Sequence, residues 1–221
     1  MMIDVTLIDS MGSDLTVVNA ARVSFNKRSE WDSDNTLTVS DGILISYLAR
    51  HKHMSPFGHC FATFHVKAPV FVARQLVKHK FLRWNEVSRR YVDDEPSFFD
   101  PSVSVSRWRG RADDKKQGSE GFVDISNKMI STLAKHQAWC NKTYTQLLDE
   151  GVAPEQARMV LPQSTMTEWY WSGSLDAWFD MCKLRQGEDA QEETRLVANS
   201  ISMDMSTLFP KSWKALMENS R

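Results

Sequence analysis

Two segments of the chain carry the residue patterns of β-strands. Residues 1–10 alternate the apolar Ile3, Val5 and Leu7 with polar neighbours, which is the period of a half-buried strand. Residues 59–68, HCFATFHVKA, combine aromatic and β-branched residues that suit a pleated surface. We therefore predict a strand in each segment.

Helical spacing of apolar residues marks the segments around these strands. Residues 14–25 form an apolar stripe for which Asp14 would serve as the amino-terminal cap. A second helix, through GILISYLARHKHM, would be capped by Ser40 or Asp41. Pro69 stands where a third helix, through VFVARQLVKHK, would begin.

Helical patterns dominate the carboxyl-terminal half of the chain. Residues 124–150 follow helical spacing and would end at Gly151, and further helices are expected at residues 154–162, 174–185 and 189–209. Because these helices are separated from the early strands instead of alternating with them, the pattern predicts an α+β fold.

Two segments lack a long periodic pattern. Residues 81–88 are expected to form a loop, followed by a short strand in SRRYV, residues 88–92. Residues 93–121 are rich in Pro, Ser, Asp and Arg, and we expect an irregular excursion over the surface whose arginines have no assigned role.

Composition indicates a single domain over residues 1–221. A hydrophobic content of 42% supports one substantial core, and a formal net charge of −1 argues against generic binding to nucleic acid or to a membrane surface. Cys60, Cys140 and Cys182 are widely spaced without a CxxC motif, so we expect neither a disulfide framework nor a cysteine zinc site. With no signal peptide or spanning segment in the pattern, we expect a soluble protein of the reducing cytoplasm.

Residues 74–91 concentrate positive charge in a chain that is otherwise close to neutral. They hold six Lys or Arg residues, with Glu86 as the only acid. One interpretation is a site for an anionic ligand, since Arg and Lys near backbone amides suit phosphate. The other is a solvated helix face with surface salt bridges, and spacing alone leaves both open.

Other candidate groups are less specific. His51 and His53 are two residues apart and would point to different faces of a helix, so we expect no metal site there even with His59 nearby. Ser88 has no Gly-x-Ser-x-Gly elbow around it, and we interpret it as a hydroxyl donor instead of a nucleophile. Trp169 and Trp171 are expected in the core or an interface.

Several motifs, in order along nearly the whole chain, resemble the flavin-dependent thymidylate synthases. The hallmark of that family is RHR, seven residues, then Ser, and this chain has Lys78-His79-Lys80, seven residues, then Ser88. The other matching segments are NAARVSF at 19–25, HKHMSPFGH at 51–59, GVAPEQARMVLP at 151–162 and LRQGEDAQEETR at 184–195.

The resemblance implies an α+β domain with a mainly antiparallel sheet packed by helices, and reductive methylation of dUMP. Methylenetetrahydrofolate would give the carbon, NADPH the reducing equivalents, and FAD would carry them. Arg185 would be catalytic, because a fixed cation beside the pyrimidine favours an enolate-like uracil. The residues implied for dUMP are Gln75, Lys78, Glu86, Val87, Ser88, Arg89, Arg90, Arg158 and Arg185.

The resemblance also implies a flavin site and a homotetramer with shared active sites. The residues implied for FAD are Ser24, His53, Ser55, Lys78, His79, Lys80, Glu86, Ser174, Asp180, Leu184 and Asp189. Lys at 78 and 80 keeps the family's charge but loses the planar hydrogen bonding of Arg. Asp176, Asp180 and Asp189 bring acids to the same region.

Two alternative functions remain open. A related enzyme on this scaffold could transfer a hydroxymethyl or another one-carbon group to dUMP or dCMP. A non-catalytic nucleic-acid binder would instead show salt-sensitive binding to oligonucleotides and no flavin.

Overall fold

A four-stranded antiparallel sheet forms the centre of the protein in the computed structural model, which describes residues 2–92, 94–103, 107–113 and 118–219. The strands in chain order are β1 (Asp4–Met11), β2 (Phe61–Pro69), β3 (Arg83–Glu86), β4 (Arg109–Arg111), β5 (Ser119–Phe122) and β6 (Met166–Ser174). The main sheet has the order β1-β2-β6-β3, while β4 and β5 form a separate hairpin.

Strands β2 and β6 pair with each other at the centre of the main sheet. It runs without interruption from Phe61 opposite Ser174 to Pro69 opposite Met166. The edge strand β3 pairs with the other side of β6, whereas β1 pairs with β2 through an irregularity after Leu7. This arrangement places the basic segment that contains β3 next to the end of β6.

Eight α-helices and four short 3-10 helices surround this sheet in the described residues. The α-helices are α1 (Asp14–Arg22), α2 (Val39–Arg50), α3 (Val70–Leu76), α4 (Asn127–Asp149), α5 (Pro154–Ala157), α6 (Leu175–Arg185), α7 (Glu192–Leu208) and α8 (Pro210–Glu218). The 3-10 helices are Val23–Phe25, Ser55–His59, Pro101–Val103 and Arg158–Val160. The predicted α+β class with an antiparallel sheet is confirmed.

The core lies between one face of the sheet and the helices. Phe64 and Trp171 point to this face and are 0% and 1% exposed, and the ring of Trp178 from α6 packs edge-on against both. The Trp178 indole N–H donates to the carbonyl oxygen of Ala62 at 3.2 Å. This packing fixes α6 on the sheet, and with it the residue at the end of α6, Arg185.

The predicted strands at the amino terminus and after residue 59 are confirmed, but the sheet is larger than predicted. Residues 83–86, expected in a loop, form β3, because Trp84 stacks on Trp169 with ring centroids 4.3 Å apart. Residues 88–91 form a turn instead of a strand, closed by a hydrogen bond from the Tyr91 N–H to the Ser88 carbonyl at 2.9 Å.

The long strand β6 and the last helix, α8, were not predicted. β6 alternates inward Thr167, Trp169 and Trp171 with the more exposed Glu168 and Tyr170. This period-two pattern is present in the sequence, and its tryptophans were correctly expected to be buried. This pattern identifies a strand with certainty only once β2 and β3 are found to pair with the two edges of β6.

The residues that cap α1 and α2 lie one to three positions before the predicted cap residues. Ser13, not Asp14, caps α1, and Thr38, not Ser40 or Asp41, caps α2. The Asp14 carboxylate instead accepts hydrogen bonds from the N–H groups of Lys211 and Ser212, both at 2.8 Å, and so caps α8. A carboxylate at a helix start can serve its own helix or a distant one, and here the tertiary fold selects the distant one.

The segment predicted as an irregular excursion is partly regular. The hairpin of β4 and β5 lies within it, and Arg109 donates to Ser119 Oγ at 2.5 Å across the hairpin. The prediction for residues 93, 104–106 and 114–117 lies outside the described residues. No helix in the described part of the chain is both long and apolar enough to span a lipid bilayer.

Candidate active site

A cavity of about 450 Å³ lies where the carboxyl ends of α3 and α6 meet. The predicted helix after Pro69 ends at Leu76, so Lys78 and His79 belong to the connection that follows it. The cavity is lined by residues from that connection, from the hairpin and from the link between α6 and α7: Gln75, Lys78, Gly118, Leu184, Arg185, Asp189, Ala190 and Gln191. The fold therefore brings the KHK motif to Arg185.

Arg185 is held in this cavity by neutral acceptors. Its Nε donates to His79 Nε2 at 2.9 Å, and its Nη2 donates to the carbonyl oxygen of Gln75 at 3.2 Å. Among the described residues, no carboxylate oxygen lies within 4.0 Å of its guanidinium. Burial lowers the pKa of Arg185 from its usual value, but an arginine remains cationic near neutral pH. The cavity thus offers a positive charge without a fixed counter-ion.

His79 is uncharged at neutral pH. Burial first, and the nearby charge of Arg185 second, lower the pKa of its imidazole to about 4. A protonated imidazole would place two cations in contact at this point, which a partly buried site disfavours. The residue therefore supplies a lone pair to Arg185 and no charge.

The Gln75 side chain ties the end of α3 to the start of α7. Its amide nitrogen donates to Gln191 Oε1, and its Oε1 accepts from Thr194 Oγ1 at 3.4 Å. Gln191 in turn donates to Glu193 Oε2 at 3.0 Å. Because the Gln75 carbonyl is an acceptor for Arg185, this network sets the position of the cation as well.

The predicted nucleotide residues after β3 are joined to the sheet. Glu86 accepts from Thr167 Oγ1 at 2.7 Å and from the Trp84 indole at 3.1 Å. The Val87 N–H donates to the carbonyl oxygen of Glu168 at 2.9 Å. Glu86 and Val87 are therefore fixed by β6, which places the turn after them.

That turn presents a hydroxyl and two arginines. Ser88 Oγ accepts from Arg90 Nε at 3.1 Å, and the Arg90 guanidinium lies 5.0 Å from the centre of the Tyr91 ring. Arg89 differs, because its Nη1 donates to the Asp94 carbonyl oxygen at 2.6 Å and lies 3.5 Å from the Asp94 carboxylate. Ser88 and Arg90 are the pair better placed to meet a phosphate.

Arg158 belongs to the segment after α5 and makes no hydrogen bond to this turn among the described contacts. It is exposed in the 3-10 helix after α5, and its Nε donates to the Glu155 carbonyl oxygen at 3.3 Å. It is not among the residues that line the Arg185 cavity. The structure thus joins the KHK part of the basic segment to Arg185, whereas Ser88, Arg90 and Arg158 are not among the residues that line this cavity.

Ser24, His53 and Ser55 line a second cavity, of about 740 Å³. The rings of Tyr47 and His53 are close to parallel there, 13° apart with centroids at 6.0 Å. The other lining residues are Ala20, Ala21, Arg22, Phe25, Lys27, Leu44, Leu48, Met54 and Pro56. The walls of this aromatic cavity are mainly apolar and aromatic. They also include the hydroxyls of Ser24 and Ser55 and two cations, Arg22 and Lys27.

A buried ion pair positions one of those cations. Arg22 Nη2 lies 2.6 Å from Asp41 Oδ1, and Asp41, only 1% exposed, also accepts from Ser29 and Thr38. Burial would raise the pKa of the Asp41 carboxyl, but the hydrogen bonds from Arg22, Thr38 and Ser29 outweigh it and lower that pKa. Arg22 is therefore paired with a permanently charged acid.

The residues implied for FAD are divided between the two cavities. Lys78, Leu184 and Asp189 line the Arg185 cavity, and His79 is bonded to Arg185 beside it. The remaining ones lie at the edges of these elements: Lys80 on the exposed connection, Glu86 at the end of β3, Ser174 as the amino-terminal cap of α6 and Asp180 on its outer face. Partial burial, followed by the charge of Asp176, raises the pKa of Asp180.

Three of the lining residues without a predicted role are placed by specific contacts. Gln191 is found only through its contact with Gln75, Gly118 because it lies against the backbone of Asp189, and Tyr47 because it faces His53. Gln191 lies within the matched segment 184–195, but its role becomes visible only through its contact with Gln75, and Gly118 and Tyr47 lie outside the matched segments.

An α+β fold with one cavity around an arginine that has only neutral hydrogen-bond partners, and a second, aromatic cavity, suits a protein that binds an anionic ligand. The family model described as thymidylate synthase complementing protein matches residues 6–211. The chain is 40% identical over 216 residues to the flavin-dependent thymidylate synthase of Thermus thermophilus, covering 97% of this chain and 76% of that protein. The flavin-dependent thymidylate synthase of Treponema denticola is 40% identical over 195 residues, covering 86% and 70%. The chain therefore belongs to the flavin-dependent thymidylate synthases, a family of methyltransferases.

Solved structures agree with this assignment. The UMP/dUMP methylase PolB from Streptomyces cacaoi, bound with 5-Br dUMP, superposes with a TM-score of 0.83 at 32% identity and covers 98% of this chain and 95% of that chain. The same methylase bound with 5-Br UMP superposes with a TM-score of 0.81 at 31% identity and covers 98% and 94%. The fold is thus shared with an enzyme whose crystals hold uridine nucleotide analogues.

Proposed function

We propose that this protein converts dUMP to dTMP by reductive methylation at C5. Methylenetetrahydrofolate gives the carbon, NADPH the reducing equivalents, and FAD is the carrier. Family membership and the likeness to a dUMP methylase support the reaction class. The observation that carries the proposal in this chain is Arg185, a partly buried cation with neutral hydrogen-bond partners only.

The charge of Arg185 matches the electronic demand of the reaction. C5 of uracil becomes nucleophilic as negative charge grows on the ring, and a cation fixed beside the ring stabilises that charge. Two unit charges about 4 Å apart interact by about 4 kcal/mol at an effective dielectric constant of about 20. A carboxylate in contact with Arg185 would offset an energy of that size; Asp189 lines the same cavity, but among the described residues no carboxylate oxygen lies within 4.0 Å of the Arg185 guanidinium.

The phosphate of the nucleotide is assigned to Ser88, Arg90 and Arg158. A phosphate monoester carries close to two charges and several acceptor oxygens, which suits a hydroxyl with two guanidinium groups. None of these three residues lines the Arg185 cavity of its own chain, and we assign the exposed Arg158 to the site of a neighbouring subunit in a homotetramer, as the family resemblance implies.

Complementation between variants tests this shared site. At a dUMP concentration too low to saturate Arg158→Ala, mixing Arg158→Ala and Arg185→Ala chains and allowing subunit exchange should raise activity above that of either variant alone, because some sites then hold both arginines. Activity that stays no higher in proven hybrids would place both arginines in the site of one chain.

The aromatic cavity fits the chemistry of a flavin dinucleotide. Close to parallel Tyr47 and His53 rings suit a flat heterocycle, while Ser24, Ser55 and Arg22 suit polar and anionic groups. When bound, the flavin supplies the redox chemistry of the reaction. Lys78, His79, Leu184 and Asp189 would approach the same cofactor from the Arg185 cavity.

A product assay tests the proposed function. The purified protein with FAD, dUMP, methylenetetrahydrofolate and NADPH should form dTMP, identified by mass, and should release flavin on denaturation. Arg185→Ala should lose most turnover, whereas Lys183→Ala, an exposed cation two residues away on α6, should keep it. A hydroxymethylated product, or oligonucleotide binding without any turnover, would replace this proposal with one of its rivals.

UMP is the second candidate substrate. PolB is described as a UMP/dUMP methylase, and its complexes with both bromo-nucleotides superpose on this chain. Comparing the rates with dUMP and UMP at equal concentration decides between a deoxyribose-specific and a tolerant site.

A further inference from the structure

We propose that His79 is the positioning residue for Arg185: its Nε2 lone pair fixes the guanidinium plane, with the imidazole proton on Nδ1, and it does so without cancelling the charge of the arginine. The inference rests on the proposed function only for its kinetic consequence. The contact itself is a property of the folded chain, with Arg185 Nε 2.9 Å from His79 Nε2.

The two hydrogen bonds of Arg185 engage one edge of its guanidinium. Nε and Nη2 form the side edge of the planar group, and they donate to His79 and to the Gln75 carbonyl. A guanidinium has five N–H donors in a rigid plane, so fixing two of them fixes the direction of the other three. The end edge, formed by Nη1 and the second Nη2 hydrogen, is then presented in one orientation to a ligand.

The bond requires a particular form of the histidine. Arg185 is always a donor, so Nε2 must carry the lone pair and the proton of the neutral ring must be on Nδ1. The charged groups around the imidazole are Arg185 from α6, Lys78 and Lys80 on the same connection, and Asp189, which lines the cavity from the link between α6 and α7. Burial first, and the charge of Arg185 second, favour the neutral ring and lower its pKa.

A neutral acceptor performs a task that a carboxylate could not. A glutamate or aspartate at position 79 would orient the guanidinium equally well, but its charge would offset the cation that the reaction needs. The imidazole orients Arg185 and leaves its full charge for the uracil ring. Losing His79 should therefore affect turnover more than nucleotide affinity.

Three variants separate this role from a general structural role. His79→Phe keeps a flat ring without an acceptor, His79→Gln restores an acceptor oxygen, and His136→Phe on the exposed face of α4 is the matched control. We expect His79→Phe to lower kcat by about 10- to 100-fold, because misplacing a catalytic group by about 1 Å costs up to about 100-fold. The Kd for dUMP should change by less than about threefold, His79→Gln should recover part of kcat, and the control should match the wild type.

A spectroscopic readout is independent of activity. In the full-length protein labelled with ¹⁵N-histidine, His79 should show a protonated Nδ1 and an unprotonated Nε2, with no titration between about pH 5.5 and 8.5. Assignment comes from the signal lost in His79→Gln. A proton on Nε2, or a titration midpoint near the ordinary value of about 6.5, would overturn the proposal.

The outcomes distinguish this inference from the proposed function. If the wild type forms no dTMP, the proposed function fails while the tautomer measurement still decides the role of His79. If the wild type forms dTMP and His79→Phe keeps the wild-type kcat, the inference fails and the proposed function stands. Should His79→Phe not fold, His79→Gln and the wild-type spectrum remain as tests.

Discussion

The lowered pKa of His79 makes part of the stability of the protein depend on pH. An unfolded histidine has a pKa of about 6.5, whereas that of folded His79 is about 4. Above pH 6.5 both states are neutral at this position, and its contribution to folding is complete. As the pH falls from about 6.5 to about 4, the unfolded chain takes up a proton that the folded protein does not, so the contribution is progressively lost.

The size of the effect follows from the difference between the two pKa values. At about 1.4 kcal/mol per pH unit, the interval from about 6.5 to about 4 corresponds to an upper limit of about 3 kcal/mol. His79 is only partly buried, and water screens part of its interaction with Arg185. We therefore expect about 1 to 2 kcal/mol between pH 6.5 and pH 4.5.

The assay compares wild type with His79→Gln. Urea unfolding is measured at several pH values at one fixed protein concentration, because assembly makes apparent stability concentration-dependent. Other titrating groups cancel in the difference between the two proteins. The wild-type free energy of unfolding should fall relative to the variant by about 1 to 2 kcal/mol on acidification from pH 6.5 to pH 4.5. A difference constant to within about 0.5 kcal/mol would show that His79 has an ordinary pKa and that its bond to Arg185 is weak.

Further substitutions test the capping of α8 by Asp14, the proposed phosphate site and the proposed flavin contacts. Asp14→Ala should lower the free energy of unfolding by about 2 to 4 kcal/mol, because it removes two charge-assisted bonds to the start of α8; a loss under about 0.5 kcal/mol in urea unfolding would refute that cap. Arg90→Ala or Arg158→Ala should weaken dUMP binding by about 2 kcal/mol or more in calorimetry, and unchanged affinity would remove that residue from the phosphate site. Lys78→Arg combined with Lys80→Arg should tighten FAD in a fluorescence titration, since Arg restores planar hydrogen bonding; an equal dissociation constant would show that the lysines are no handicap.

Long periodic segments were predictable because their pattern is local. The spacing of apolar residues alone locates α4 and α7, and alternation locates β1. The edge strand β3 has only four residues, and its stability comes from pairing with β6 and from the contact of Trp84 with Trp169. No window of sequence around residues 83–86 contains that information.

The cap residues show the same limit on a smaller scale. Ser13 and Asp14 are both good caps, and local sequence does not choose between them. The choice is made by α8, whose first N–H groups need an acceptor that Asp14 can reach only in the folded chain. Asp14 therefore makes a long-range contact with α8, although its position in the sequence resembles that of a cap for α1.

The sequence names candidate site residues but does not give their arrangement. The motifs identify the KHK segment and Arg185, and folding brings them together as expected. The motifs also led to His79 being assigned to the flavin alone, whereas its Nε2 is occupied by Arg185. That contact depends on the carboxyl ends of α3 and α6 meeting, which is decided by the packing of α6 on the sheet.

Charge pairing distinguishes Arg185 from the other partly buried arginines. Five arginines of the described residues are partly buried: Arg22, Arg89, Arg109, Arg185 and Arg195. Four of them have a carboxylate oxygen within 4.0 Å, as expected where a buried cation must be compensated. Arg185 has none, and its neighbours are a neutral imidazole and a backbone carbonyl. An uncompensated cation in a cavity costs stability, and this cost is consistent with our proposal that Arg185 meets an anion that arrives with the substrate or develops during the reaction.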